Sequence, residues 1–232
     1  MALPFQHPTT IMFAGPTGCG KTQLLLSVIE RKMIQPPPKR IICVYGEWQD
    51  AYDKLRSIAT KNSVKLEFVH NPSSEEMETV YESIKPSIPN LVIVDDQMSS
   101  RKITKDSGGD CLTKLFTQGS HHRNLTVIYI VQNVFHQSSN MRSISLNTHY
   151  LVLFKSPRDK TQARVLGQQM YPRNNNFLVS AYEDAISEPF GYLLIDLHPR
   201  SDDALRIRSR IFDPNGSIIY QPGATSIKAS RN

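Results

Sequence analysis

Cysteine is scarce in this chain: Cys19, Cys43 and Cys111 are the only three in 232 residues. An odd, scattered set makes no disulfide framework, so the thiols are expected to be free and the compartment reducing. No Cys/His spacing suits zinc, and the adjacent pair His121-His122 cannot easily face one metal. No apolar run reaches the length that spans a membrane, and no charged-then-apolar leader opens the chain. The sequence therefore predicts a soluble intracellular protein with no membrane partner. Internal repeats and long low-complexity tracts are also lacking. With 39% hydrophobic and 21% charged residues, global disorder is excluded and a large core is possible. Pro36-Pro37-Pro38 is a break between two elements, not a domain linker.

What is present begins at Met12. In "MFAGPTGCGKTQLLLSVIE", Gly15, Gly20, Lys21 and Thr22 satisfy G-x-x-x-x-G-K-[ST]. The apolar run 11–14 reads as a buried strand. The segment 21–33 has helical spacing, with Leu24, Leu25, Val28 and Ile29 on one side. Glycines there let the backbone turn tightly and aim successive N–H groups inward, at the positive end of a helix. The loop Gly15, Pro16, Thr17, Gly18, Cys19, Gly20, Lys21 and Thr22 is thus a candidate ATP phosphate cradle. Lys21 would reach the β- and γ-phosphates, and the Thr22 hydroxyl would bind Mg²⁺.

A second half-site follows in "NLVIVDDQM". The run 91–94 fits a strand buried on both faces, and Asp95 and Asp96 emerge at its C-terminal end, where open α/β sheets bind ligands. Asp95 is the expected Mg²⁺ partner, and Asp96 the expected base or orienter of the attacking water. A further buried strand, 126–131, ends in Gln132, whose amide could sense the γ-phosphate. Arg123 precedes that strand, so it emerges at the opposite edge. From there it could reach the nucleotide of a neighbouring subunit in a ring, as an arginine finger given in trans.

Strands are expected at 11–14, 40–45, 64–69, 91–94, 126–131, 150–154, 192–197 and 205–212. Helices are expected at 21–33, 50–61, 74–84, 110–120, 159–170 and 178–186, with Ser73 and Glu76 forming a capping box. The fold class is α/β: a P-loop NTPase of the RecA-like/ASCE type, with a mostly parallel central sheet flanked by helices. One ATPase domain over 1–212 and a C-terminal tail over 213–232 describe the chain.

The net charge is +6. Arg101, Lys102 and Lys105 lie just after the acidic strand, and Arg206, Arg208 and Arg210 alternate in "ALRIRSRIF". Either set could grip DNA phosphates, or be a solvated loop and an exposed strand face. Tyr45 and Trp48 could stack on adenine, although packing at a strand end is the simpler reading. The arginine-rich lid of a small-molecule kinase, the Asn-Lys-x-Asp of a GTPase and the serine-glycine signature of an ABC ATPase are all missing.

Three stretches carry a family resemblance: "GPTGCGKT", "LVIVDD" and "HHRNLTVIYIVQNVFHQSSNMRSISLNTHYLVLFKSPRD". With "YGEWQ" and "YEDAISEPFGYLLIDL", they make the chain similar to the FtsK–HerA superfamily of DNA-pumping ATPases over about residues 9–212. Within it the chain looks closest to the genome-packaging ATPases of Polinton/Maverick and adintovirus-like elements, kin to the poxvirus packaging ATPase. The resemblance implies a homo-oligomeric ring that hydrolyses ATP to drive double-stranded DNA into a capsid. It also implies capsid or portal-vertex partners and a place inside an infected host cell. Many superfamily members follow the magnesium Asp with Glu, where this chain has Asp96. The matching arginine is Arg123, with Arg142 and Arg158 as further candidates.

Overall fold

The computed structural model describes residues 3–95, 108–135, 139–223 and 228–231. Strands β1 (Phe5–Gln6), β2 (Thr10–Ala14), β3 (Ile34–Gln35), β4 (Arg40–Tyr45), β5 (Lys65–His70) and β6 (Asn90–Asp95) lead into β7 (Leu125–Val131) and β8 (Tyr150–Phe154). After these come β9 (Tyr192–Asp196), β10 (Ile207–Ser209), β11 (Ile218–Gln221) and β12 (Lys228–Arg231). The helices are α1 (Lys21–Glu30), α2 (Asp50–Lys61), α3 (Ser74–Glu82), α4 (Gly108–Lys114), α5 (Ser139–Leu146), α6 (Thr161–Met170) and α7 (Asn176–Ala185). A π-helical turn, Leu115–Gly119, extends α4 into a last turn, Ser120–His122.

Ten strands form one sheet, in the order β12-β11-β10-β9-β8-β2-β7-β6-β4-β5. The half from β5 to β8 is parallel. From β8 outward each pairing is antiparallel, so the sheet is mixed. Residues 213–232, expected as a tail, contribute β11 and β12 to this antiparallel wing. The two-residue strands β1 and β3 pair with each other apart from the main sheet, and neither they nor α5 was anticipated from sequence.

The parallel half shows why its strands read as continuous apolar runs. Side chains alternate across a strand, and both faces here are covered. Leu91 and Ile93 of β6 join Ile128 and Ile130 of β7 in one core with Leu25 and Val28 of α1 and Tyr52 and Leu55 of α2. Val92 and Val94 join Val127 and Tyr129 in the other, under α3 to α7. The capping box forms as expected: the Ser73 hydroxyl accepts from the Glu76 N–H, and the Glu76 carboxylate accepts from the Ser73 N–H.

One strand, β7, is interposed between the strand that feeds the glycine loop and the strand that ends in Asp95. In register, Ala14 stands beside Val131, and Asp95 beside Ile130. The Gly15 N–H donates to the Val131 carbonyl at 3.1 Å. These pairings bring the glycine loop, the β6 carboxylate and the β7 tip to one edge of the sheet.

Candidate functional site

The loop 15–22 turns between β2 and α1. Gly18 and Gly20 have φ of +78° and +104°, a region that favours glycine. Gly15 is held by contact instead: a Cβ there would come within 2.7 Å of the Phe154 Cβ and 2.9 Å of the Cys19 Sγ. No side chain caps the N-terminus of α1, whose first N–H groups have no partner within the helix. The Lys21 ammonium curls into the loop and donates to the carbonyls of Gly15 at 2.6 Å and Pro16 at 2.8 Å. Burial raises the Cys19 thiol pKa, with Lys21 opposing, so this thiol stays neutral at physiological pH.

Asp95 is only 4% exposed, and its Oδ2 is fixed by two donors from the start of α2. The Tyr52 hydroxyl donates at 2.6 Å and the Gln49 amide at 3.1 Å. Gln49 is the N-cap residue of α2, so the two donors are three positions apart on one helical turn. Burial, and then the hydrogen bond to Asp95, push the Tyr52 hydroxyl pKa well above the ordinary tyrosine range. The Cys43 thiol is pushed up to about 12 by burial and by the Asp95 charge. Both neighbours therefore stay protonated at neutral pH, where Tyr52 is a donor. Neither Tyr52 nor this use of Gln49 was recognised in the sequence. Nothing in the residue string ties a position on α2 to the end of β6.

Lys21, Thr22, Gln49, Asp95, Gln132 and Phe190 share a cavity of about 340 Å³. The predicted residues Lys21, Thr22, Asp95 and Gln132 are thus brought together. The donor chemistry suits Mg²⁺, a hard cation usually held by one carboxylate, a hydroxyl and substrate phosphates rather than a full protein cage. Among the described residues no group of three or more His, Cys, Asp or Glu side chains could hold a metal. Beside Gln132, the Asn133 amide donates to Asp159 Oδ2 at 3.2 Å. The Thr161 hydroxyl is the main cause that holds the Asp159 carboxyl below its ordinary value. Asp96, Arg101, Lys102 and Lys105 lie outside the described residues.

Other expected residues fall elsewhere. Arg123 stands at the opposite edge, as anticipated, but its guanidinium is engaged within its own chain. It donates to the carbonyls of Tyr81, Glu82 and Ile84 at 3.0, 3.4 and 3.5 Å and lies 4.1 Å from the centroid of the Tyr81 ring. That is a clamp on the C-terminal end of α3. Arg142 and Arg158 are exposed and, among the described residues, make no hydrogen bond or ion pair.

The row Arg206, Arg208 and Arg210 does not form a phosphate grip. Arg208 is 4% exposed and pairs with buried Asp196 at 3.3 Å. Arg206 binds Asp203 and three backbone carbonyls, and Arg210 binds Glu188 at 2.8 Å. The strand expected over 205–212 is only Ile207–Ser209, so Arg206 and Arg210, the latter with a φ of +51°, lie outside the alternating stretch, and Arg208 alone is buried within the antiparallel wing. Tyr45 and Trp48 pack with Tyr52 and Phe68 in an aromatic cluster at the C-terminal end of β4. Among the described residues no helix is long and apolar enough to cross a membrane.

No family model matches this chain, and no curated protein matches it in sequence. Solved structures match it in fold. The genome packaging NTPase B204 from Sulfolobus turreted icosahedral virus 2, in complex with AMPPCP, is similar at a TM-score of 0.56 and 13% identity, over 88% of this chain and 97% of that one. The cytoplasmic domain of the Thermomonospora curvata Type VII secretion ATPase EccC gives 0.53 and 15%, over 87% of this chain and 23% of that one. The KaiC-like protein PH0186 from Pyrococcus horikoshii OT3 gives 0.51 and 11%, over 97% and 91%. At these identities the likeness is one of fold: a P-loop NTPase α/β architecture.

Proposed function

We propose that this chain is an ATPase that couples hydrolysis to movement of double-stranded DNA, packaging a viral or virus-like genome into a capsid. The observation that carries the ATPase part is the convergence of Lys21, Thr22, Asp95 and Gln132 on one cavity. The DNA part rests on the resemblance of "HHRNLTVIYIVQNVFHQSSNMRSISLNTHYLVLFKSPRD" to packaging ATPases of the FtsK–HerA group. The shared fold with a viral packaging NTPase supports it.

In this reading the loop N–H groups and Lys21 bind the β- and γ-phosphates. Thr22 and Asp95 hold Mg²⁺, which when bound would offset phosphate charge and fix the phosphate geometry. Gln132 faces the γ-phosphate. Asp96 takes the water-orienting role. Arg101, Lys102 and Lys105 contact DNA phosphates, and the working form is a homo-oligomeric ring docked on capsid or portal proteins. For the finger given in trans, Arg158 is the first residue to test and Arg142 the next, because among the described residues neither makes a hydrogen bond or ion pair. Arg123 would first have to leave the α3 carbonyls.

The test is ATP turnover by the full chain with and without long duplex DNA. Turnover that DNA stimulates and that Lys21→Ala abolishes supports the proposal. Turnover indifferent to DNA assigns the chain to another P-loop class, and no turnover in any condition refutes the ATPase reading. Mixing Lys21→Ala with an arginine variant then tests the ring. Loss of a trans finger costs on the order of 10³–10⁵ in rate, and mixed oligomers recover activity only if the arginine acts across an interface. Replacing Arg101, Lys102 and Lys105 with alanine should flatten the slope of log K against log salt by about 0.9 per lost contact.

A further inference from the structure

Phe190 is an anomaly for a surface residue. It is a large aromatic, 66% exposed, with a left-handed φ of +60°, a backbone region in which a bulky side chain is an outlier. It lies in the turn 186–191 between α7 and β9, and that turn is tightly determined. The Gly191 N–H donates to the Glu188 carbonyl at 3.2 Å, and the Lys155 N–H to the Gly191 carbonyl at 3.0 Å. A Cβ on Gly191 would come within 2.4 Å of the Ala185 carbonyl oxygen. The Glu188 carboxylate is tied to Arg210 at 2.8 Å. The turn therefore holds Phe190 outward instead of letting it collapse into the core. Such strain is commonly found where a side chain serves a ligand.

The place to which the ring is held carries the argument. Phe190 lines the same cavity as Lys21, Thr22 and Asp95. A Cβ built on Gly20 would be 3.4 Å from both Cβ and Cδ1 of Phe190, so the ring covers the N-terminus of α1. The sheet order fixes the sidedness. Asp95 and Gln132 stand on the β7–β6 side of the glycine loop, and Phe190 on the β8–β9 side. A nucleotide whose terminal phosphate faces Asp95 and Gln132 must send its sugar and base out the other way, toward Phe190. The competing aromatics Tyr45 and Trp48 lie at the C-terminal end of β4, on the phosphate-tail side, and pack against one another with ring centroids 5.4 Å apart.

We infer that Phe190 is the stacking platform for the nucleotide base. The inference rests on the reading of this cavity as a nucleoside triphosphate site. A flat hydrocarbon ring stacks on any base, so Phe190 would supply affinity without separating adenine from guanine.

The experiment is calorimetric titration of the full chain with AMPPCP, GMPPCP and inorganic tripolyphosphate, each with Mg²⁺. Phe190→Ala should weaken both nucleotides by about 5- to 150-fold, the loss that follows truncation of one base–aromatic stack. Tripolyphosphate, which has no base, should bind within about twofold of wild type, and Phe190→Trp should restore nucleotide affinity. Unchanged nucleotide affinity overturns the inference while leaving the cavity's assignment intact. An equal loss for tripolyphosphate also overturns it, because Phe190 would then be shaping the glycine loop. If wild type binds none of the three, the nucleotide-site reading fails and this inference falls with it.

Discussion

Replacing Tyr52 with Phe removes one hydroxyl and, with it, the hydrogen bond that this hydroxyl donates to Asp95 Oδ2. The bond is 2.6 Å long and buried at both ends. A hydrogen bond to a charged group contributes about 1.5–3 kcal/mol, and Gln49 at 3.1 Å does not replace the lost donor. In a chain of this size about 1 kcal/mol moves the melting temperature by roughly 2–4 °C, so Tyr52→Phe should melt about 3–12 °C lower. Because the hydroxyl pKa is raised above its ordinary value, the difference should be constant between about pH 6 and pH 9. In an Asp95→Asn background the acceptor is a neutral amide, and the same change should cost only about 0.5–1.5 kcal/mol. The cycle should thus close with a coupling near 1 kcal/mol. If Tyr52 also fixes the carboxylate for Mg²⁺, AMPPCP affinity should fall with the metal present and hold without it. A melting shift below about 1 °C, or equal shifts in the two backgrounds, would refute the claim that Tyr52 supports the Asp95 charge.

Arg208→Ala should cost about 3–5 kcal/mol by leaving Asp196 buried without its counter-ion, whereas Arg208→Met with Asp196→Asn should recover most of that loss; chemical denaturation measures both. Arg123→Ala should lower stability by about 1–3 kcal/mol, because the carbonyls ending α3 lose their donor, while AMPPCP titration of the folded fraction stays at wild type. For the Arg40–Glu67 pair, held by a 3.0 Å ion pair, Arg40 is the main cause that lowers the Glu67 pKa. A depressed carboxylate stabilises the fold above its unfolded pKa and loses that contribution as pH falls through the folded value. Glu67→Gln should therefore melt below wild type at pH 7, with the gap closing as pH falls below the ordinary glutamate range.

The glycine loop and its flanking strand and helix were legible because their signals are contiguous. Gly15 to Thr22 must supply special dihedrals and N–H groups within a single turn, and only a narrow set of residues can do so. Leu91 to Val94 and Val127 to Val131 were legible as strands because burial on both faces demands unbroken apolar runs. The capping box at Ser73 and Glu76 is likewise a matter of one turn.

The rest was decided by what comes together across the sheet. Tyr52 and Gln49 meet Asp95 from 43 and 46 residues away, and no local pattern encodes that pairing. Alternation placed Arg206, Arg208 and Arg210 on one face, but it cannot say that the strand is only Ile207–Ser209. The antiparallel wing and Asp196 made the middle arginine a core residue. Phe190 looks like any apolar residue in a turn until the fold stacks β9 beside β8 and carries the turn over Gly20. By itself the sequence determined the glycine loop with its lysine and threonine, because that loop is built from one uninterrupted stretch of backbone. Only the tertiary structure decided which charges are buried, which carboxylate oxygen is held and which ring faces the cavity, because those depend on contacts between residues far apart in the chain.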